Sequence, residues 1–201
     1  AADIEGAKVL DIASHDGRWS YALAGIGAAE VLGIEARGEL IGAFDDFPDT
    51  DFKQNVTFRQ GDLYKELDLM IARGERFDVV ALYGILYHVM DHYGLLARIK
   101  SLGAKVVIID SEFITKPNPM IQLSIERTDN VLNAIGQVAG QATTLVGIPS
   151  TAAMERMAEV LDYRLVWSDW DALAPGQRRG LRDYYRDTPK RRRTCALYPV
   201  I

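Results

Sequence analysis

A chain of 201 residues, 48% of them hydrophobic, is long enough to bury a full core and short enough that one domain is the default expectation. Its formal net charge of −5 argues against general binding to phosphate backbones, which needs a broad basic surface, so nucleic acid is not an expected partner. The one cysteine, Cys195, excludes an internal disulfide and a cysteine-based metal site, and fits a reducing compartment. Apolar runs are interrupted by charges well before the roughly 18–20 residues of a membrane span, and no basic-then-apolar leader opens the sequence. The expectation is a soluble, cytoplasmic protein with no membrane partner.

Taken in order, residues 8–13 (KVLDIA) read as a buried strand, 19–26 as a helix and 29–36 (AEVLGIEA) as a second strand. A helical stretch with Leu40, Ile41 and Phe44 ends near Pro48. Then follow a strand at 56–60, a helix over 63–72, a strand at 77–83 (FDVVALY), a helix over 93–100 and a fifth strand at 105–110 (KVVIID). Continuous apolar strands are expected where helices cover both faces of a parallel sheet, and the alternation predicts a doubly wound α/β fold. The second half breaks the rhythm. Residues 111–150 carry two prolines, Pro117 and Pro119, and a segment read as helical from about Met120 to Val138, an insertion expected to pack over the carboxyl edge of the sheet. A helix over 151–161 leads into strand 163–170, and the chain ends in strand 193–199. Two final strands without an intervening helix suggest an antiparallel pair.

In an open parallel sheet, ligands collect beyond the strand carboxyl ends, where the strand order reverses. Strand one ends in Asp11-Ile12-Ala13-Ser14-His15-Asp16-Gly17, strand two in Glu35, strand three in Asp62-Leu63 and strand four in Tyr83-Gly84. A carboxylate such as Glu35 suits a pair of ribose hydroxyls, and Asp62 beside apolar Leu63 suits an adenine amino group. The small residues Ala13 and Gly17 let backbone approach a ligand. A dinucleotide pyrophosphate wants G-x-G-x-x-G at a helix start. Here Asp16 stands where that anion would be repelled, whereas Asp11 or Asp16 suits a positively charged sulfonium.

At this point the sequence resembles the class I S-adenosylmethionine-dependent methyltransferases, over nearly its whole length. The first motif of that family, roughly V-L-D-x-G-x-G-x-G, is matched by residues 9–17 with Ala13 and His15 in place of two glycines. The resemblance implies a Rossmann-like, mostly parallel seven-stranded sheet with an antiparallel last strand. It implies S-adenosylmethionine as cofactor and S-adenosylhomocysteine (SAH) as product, with Asp11, Ala13, Ser14, Gly17, Glu35, Asp62, Leu63, Tyr83 and Tyr87 as cofactor-binding residues. A narrower stretch, Phe77 to His88 (FDVVALYGILYH), is similar to that of the bacterial tRNA wobble-uridine carboxymethyltransferases and related small-molecule enzymes. In that group the tyrosine of L-Y-H and a late arginine contact the cofactor, which here implies Tyr87 and either Arg191 or Arg193. The chain begins almost at strand one, so an upstream capping helix is expected to lie outside it.

His88, just past strand four, is the expected general base, since histidine is the commonest one near neutral pH. Its alternative is a loop-ordering hydrogen bond. Arg193, His92 and Glu112 are expected on the acceptor side, and Cys195 as a buried small side chain. Asp110, Glu112 and His88 are a loose divalent-metal constellation that is not favoured. N-P-P-Y, frequent after strand four in amino-methylating enzymes of nucleic acids, is replaced by Tyr83-Gly84-Ile85-Leu86. The favoured reading is transfer of a methyl group to a hydroxyl of a small molecule, with a sugar or other polyol as the suggested class and residues 111–150 selecting it. The rivals are a tRNA-modifying enzyme, which predicts one basic face joining Arg178, Arg179 and residues 190–193, and a non-catalytic cofactor-binding interaction protein. A homodimer is open.

Overall fold

The structure, a computed structural model, describes residues 3–200. Its first half alternates β1 (Lys8–Ile12), α1 (Arg18–Gly25), β2 (Glu30–Glu35), α2 (Gly38–Gly42), β3 (Val56–Gln60), α3 (Leu63–Ala72), β4 (Val79–Tyr83), α4 (His92–Ser101) and β5 (Val106–Ile114). Helical crossovers keep all five strands parallel. After a hairpin come α5 (Thr151–Val160), β8 (Tyr163–Trp167) and β9 (Lys190–Pro199). The seven-stranded sheet has the order β3-β2-β1-β4-β5-β9-β8. β9 lies antiparallel to both its neighbours, β5 and β8. The expected doubly wound sheet with an antiparallel last strand therefore forms, and its order reverses between β1 and β4.

The central strands β1 and β4 are buried almost throughout because both faces of the sheet are covered. On one face Val9, Val31, Val79 and Ala81 pack with Leu23 and Ala24 of α1 and with Phe44. On the other, Leu10, Ile12, Val80, Leu82 and Ile109 meet Leu67 and Met70 of α3, Leu95 and Ile99 of α4 and Met154 of α5. Cys195 belongs to this second core, 1% exposed, and burial pushes its thiol up to about 12. Side-chain caps start the helices on that face: Asp62 accepts from Lys65 N, Asp91 from Gly94 N and Ser150 from Ala153 N. Each such cap contributes about 1 kcal/mol.

The insertion corrects the sequence reading. No helix forms between Met120 and Val138; instead β6 (Ile121–Arg127) and β7 (Thr143–Pro149) pair antiparallel as a separate two-stranded sheet. The stretch Ile121-Gln122-Leu123-Ser124-Ile125-Glu126 alternates with period two, which suits a strand. The hairpin is pinned to the loop after β4, where Gly147 N donates to Val89 O at 3.0 Å and His92 Nε2 donates to Gly147 O at 2.9 Å. A Cβ at Gly147 would sit 2.9 Å from the His92 ring, so this close approach requires glycine.

Candidate functional site

The turn from β1 into α1 holds three left-handed residues: Ala13 (φ 57°), His15 (φ 53°) and Gly17 (φ 80°). Ala13 and His15 occupy positions where the motif carries glycine, and their positive φ is a local strain of about 1–2 kcal/mol each. At Gly17 a Cβ would stand 2.6 Å from ring carbons of both Phe44 and Phe58. The strained path turns Ser14 and His15 inward. Ser14 Oγ and both His15 ring nitrogens are buried with no hydrogen-bond partner; the nearest carboxylate, Asp16, is 3.6 Å from His15 Nδ1. Unpartnered buried polar atoms are rare, because each forfeits its hydration. Asp16 itself pairs with Arg18 at 2.6 Å, which holds its carboxyl down at about 2.

Two carboxylates converge behind this turn. Glu35, 7% exposed at the end of β2, accepts from His15 N at 3.1 Å and Arg37 N at 3.0 Å. Both bonds are to backbone, so each oxygen keeps acceptor capacity for a further donor. Asp11, 1% exposed, accepts from Ser20 Oγ at 2.6 Å. Burial, opposed by that hydrogen bond and reinforced by the charge of Glu35, pushes the Asp11 carboxyl up to about 7. Asp62 uses one oxygen to cap α3, with Lys65 N at 3.1 Å, and Leu63 packs against the core.

At the end of β4, Tyr83 leans on the half-exposed Trp19, ring centroids 5.2 Å apart. Burial raises the Tyr83 phenol well above its ordinary range, with the charges of Asp11 and Asp110 adding to the effect. Gly84 (φ 88°) brings Arg192 and Tyr87 together: a Cβ there would meet Arg192 Nη2 at 3.5 Å and Tyr87 Oη at 3.8 Å. Arg192 is thus the late arginine that lies beside Gly84 and Tyr87, a neighbour of the expected Arg191 and Arg193. Successive strand residues face opposite sides, so Arg193 lies on the other face, its guanidinium 5.2 Å from the Trp167 ring. Arg192 Nε donates to Asp110. Burial works against the Arg192 charge, yet Asp110 more than compensates and raises its pKa. Asp110 also accepts from Thr194 Oγ1 and, at 2.7 Å, from Tyr184 Oη.

Two further expected acceptor-side residues are used internally. His92 is 1% exposed and holds the hairpin through Gly147, with burial lowering its pKa; it packs between elements instead of facing an acceptor. Glu112 is paired with Arg186 at 2.9 Å and Lys190 at 2.7 Å. Among the described residues no three His, Cys, Asp or Glu side chains are placed to hold a metal ion.

The hairpin supplies what sequence reasoning missed. Its loop arches over the crevice: Arg37 donates to Val131 O at 3.2 Å and Asn133 O at 2.9 Å, beside Glu35. At the other end of the crevice Glu126 Oε2 stands 2.7 Å from His88 Nδ1 and accepts from Ala134 N at 2.8 Å. A carboxylate can only accept, so Nδ1 carries a proton, and in the neutral ring Nε2 is the nitrogen with the lone pair. The alternation that marks β6 as a strand was the available signal, since it sets Ser124 and Glu126 on the face opposite the exposed Leu123 and Ile125.

No family model matches the sequence, and no curated protein sequence matches it. Solved structures do match in fold. The N-terminal domain of EvdMO1, crystallised in the presence of SAH and D-fucose, superposes with a TM-score of 0.70 at 16% identity, over 99% of this chain and 79% of that one. An S-adenosylmethionine-dependent methyltransferase from Mesorhizobium loti gives 0.66 at 14% identity, over 97% and 92%. Magnesium protoporphyrin IX methyltransferase (ChlM) from Synechocystis, with bound SAM, gives 0.58 at 14% identity, over 99% and 73%. The chain therefore has the Rossmann-like methyltransferase fold.

The residues present fit an adenosyl cofactor. Glu35 has spare acceptor capacity where ribose hydroxyls would lie, and the orphaned Ser14 and His15 atoms await partners in the same turn.

Proposed function

We propose that the protein is an S-adenosylmethionine-dependent methyltransferase that methylates a hydroxyl of a small molecule, a sugar or other polyol being the preferred class. The observation that carries the reading is the strained β1–α1 turn, where buried polar atoms without partners stand beside the buried carboxylate of Glu35. A protein does not keep such atoms unsatisfied without compensation, and a nucleoside ligand supplies it. When bound, the cofactor contributes a methyl group on an already activated sulfonium.

The chain then has three tasks. Glu35, with Asp62 and Leu63 beyond it, orients the nucleoside, while Asp11 and Tyr83 line the inner wall. The hairpin loop, tied down by Arg37 and Glu126, excludes water from the crevice. His88 Nε2 takes the proton of the acceptor hydroxyl, and Glu126 keeps the ring in the competent tautomer and steadies the imidazolium that results. Residues 111–150 form the acceptor side of the single domain we assign to residues 1–201. The EvdMO1 domain, solved in the presence of D-fucose, supports a sugar-like acceptor by fold analogy, and a cytoplasmic location suits the cofactor.

Calorimetric titration with SAH tests the cofactor assignment. Binding is expected in the wild type and about a hundredfold weaker in Glu35→Ala, as the loss of charge-assisted bonds to two hydroxyls implies. Equal affinity in the two proteins refutes the assignment.

A further inference from the structure

The segment between β8 and β9 folds into three short 3-10 turns, at Trp170–Ala172, Pro175–Gln177 and Arg182–Tyr185. Residues that follow the second turn line an open cavity of about 550 Å³: Arg178, Arg182, Tyr185, Arg186, Asp187 and Thr188. Three guanidiniums on one cavity in a chain of net charge −5 are a local reversal of sign. They are not equally neutralised. Arg186 is paired with Glu112 at 2.9 Å and Asp183 at 2.7 Å. Arg178 pairs with no carboxylate among the described residues: it donates to Leu173 O at 2.9 Å and Asp171 O at 3.1 Å and lies 4.3 Å over the Tyr185 ring. Arg182 has no ion pair among the described residues, and Asp187, the one carboxylate on the lining, neutralises none of the three.

A guanidinium clamped by two carbonyls and stacked on a ring is immobilised before any ligand arrives, which lowers the entropic cost of binding an anion. The segment is also fastened to the acceptor side of the crevice, through Tyr184 to Asp110 at 2.7 Å and Arg186 to Glu112 at 2.9 Å. We infer that this cavity binds a phosphoryl group carried by the methyl acceptor, with Arg178 and Arg182 as its cationic contacts. The acceptor is then a phosphorylated sugar or polyol, an inference that rests on the methyltransferase reading. The basic run is poorly suited to a nucleic-acid backbone: Lys190 and Arg186 are committed to Glu112 and Arg192 to Asp110, so the expected continuous basic face is broken.

The experiment is a pair of calorimetric titrations on the full chain at physiological salt, one with glucose 1-phosphate and one with SAH. The sugar phosphate is expected to bind more tightly than inorganic phosphate, and exposed Arg182→Ala to weaken it about tenfold while leaving SAH affinity unchanged. No binding of glucose 1-phosphate, or equal binding by Arg182→Ala, overturns the site. Inorganic phosphate binding as well as the sugar phosphate overturns the acceptor assignment. A single-stranded RNA that binds more tightly, with steep salt dependence and the same loss in Arg182→Ala, overturns it in favour of nucleic acid. Loss of SAH binding alone, in the wild type, condemns the methyltransferase reading and leaves the anion site standing.

Discussion

The two ends of the crevice treat their carboxylates differently, although buried atoms without partners occur at both, Ser14 Oγ and the His15 ring nitrogens at one and Ser111 Oγ and Arg191 Nε at the other. At the β1–β2 end, Ser14 Oγ and the His15 ring nitrogens lack partners, and the nearby Asp11 carboxyl is raised to about 7 by burial. At the β5–β9 end, nearly every charge is answered from within: Asp110 by Arg192, Tyr184 and Thr194, Glu112 by Arg186 and Lys190. A site that must receive a ligand keeps its hydrogen-bonding capacity open and bears the cost in stability. A wall that must position that ligand closes its own network. His88 is held from the hairpin, through Nδ1 to Glu126.

The contrast is broken most severely at His88. His88→Ala is expected to lower kcat on the order of a thousandfold with SAH affinity intact, and Glu126→Gln to lower kcat by about tenfold without raising the acceptor KM; unchanged turnover in the first variant removes the base assignment. Next comes the strained end. Because the Asp11 carboxyl stands at about 7 in the folded protein against its ordinary 3.8, the fold retains a proton that the unfolded chain releases above about pH 4. Stability therefore falls as pH rises from about 4 to about 7 and is level above that. This shift corresponds to a contribution of about 4 kcal/mol. Urea unfolding across that window is expected to show the decline in the wild type and a flatter profile in Asp11→Asn.

At the closed end, Arg192→Ala strands Asp110 and is expected to destabilise by about 2 kcal/mol, short of a fully buried pair because both side chains keep some solvent access. The smallest effect is the control one residue away. Arg193→Ala gives up only its contact with Trp167, about 0.5 kcal/mol, so thermal melts of the two variants separate the faces of β9.

The first half of the fold was legible because helix and strand periods are local properties: the strand at residues 56–60 and the helix at 63–72 were read with the bounds the structure gives. The hairpin was missed although its period was present, since residues from about Met120 to Val138 were read as one helical segment, whereas Ile121, Leu123 and Ile125 form one side of a strand. Arg192 was missed for a related reason. Two arginines flank it, and only the pairing of β9 with β5 decides which of the three shares a face with Asp110.

The sequence alone determined the order of strands and helices through β5, the acidic residues at strand tips and the motif turn, because burial patterns and strand ends are written in neighbouring residues. The tertiary structure decided which buried atoms find partners and which do not. Those partners come from far along the chain, as Glu126 comes to His88, Tyr184 to Asp110 and Gly147 to His92, and nothing in a local stretch specifies them.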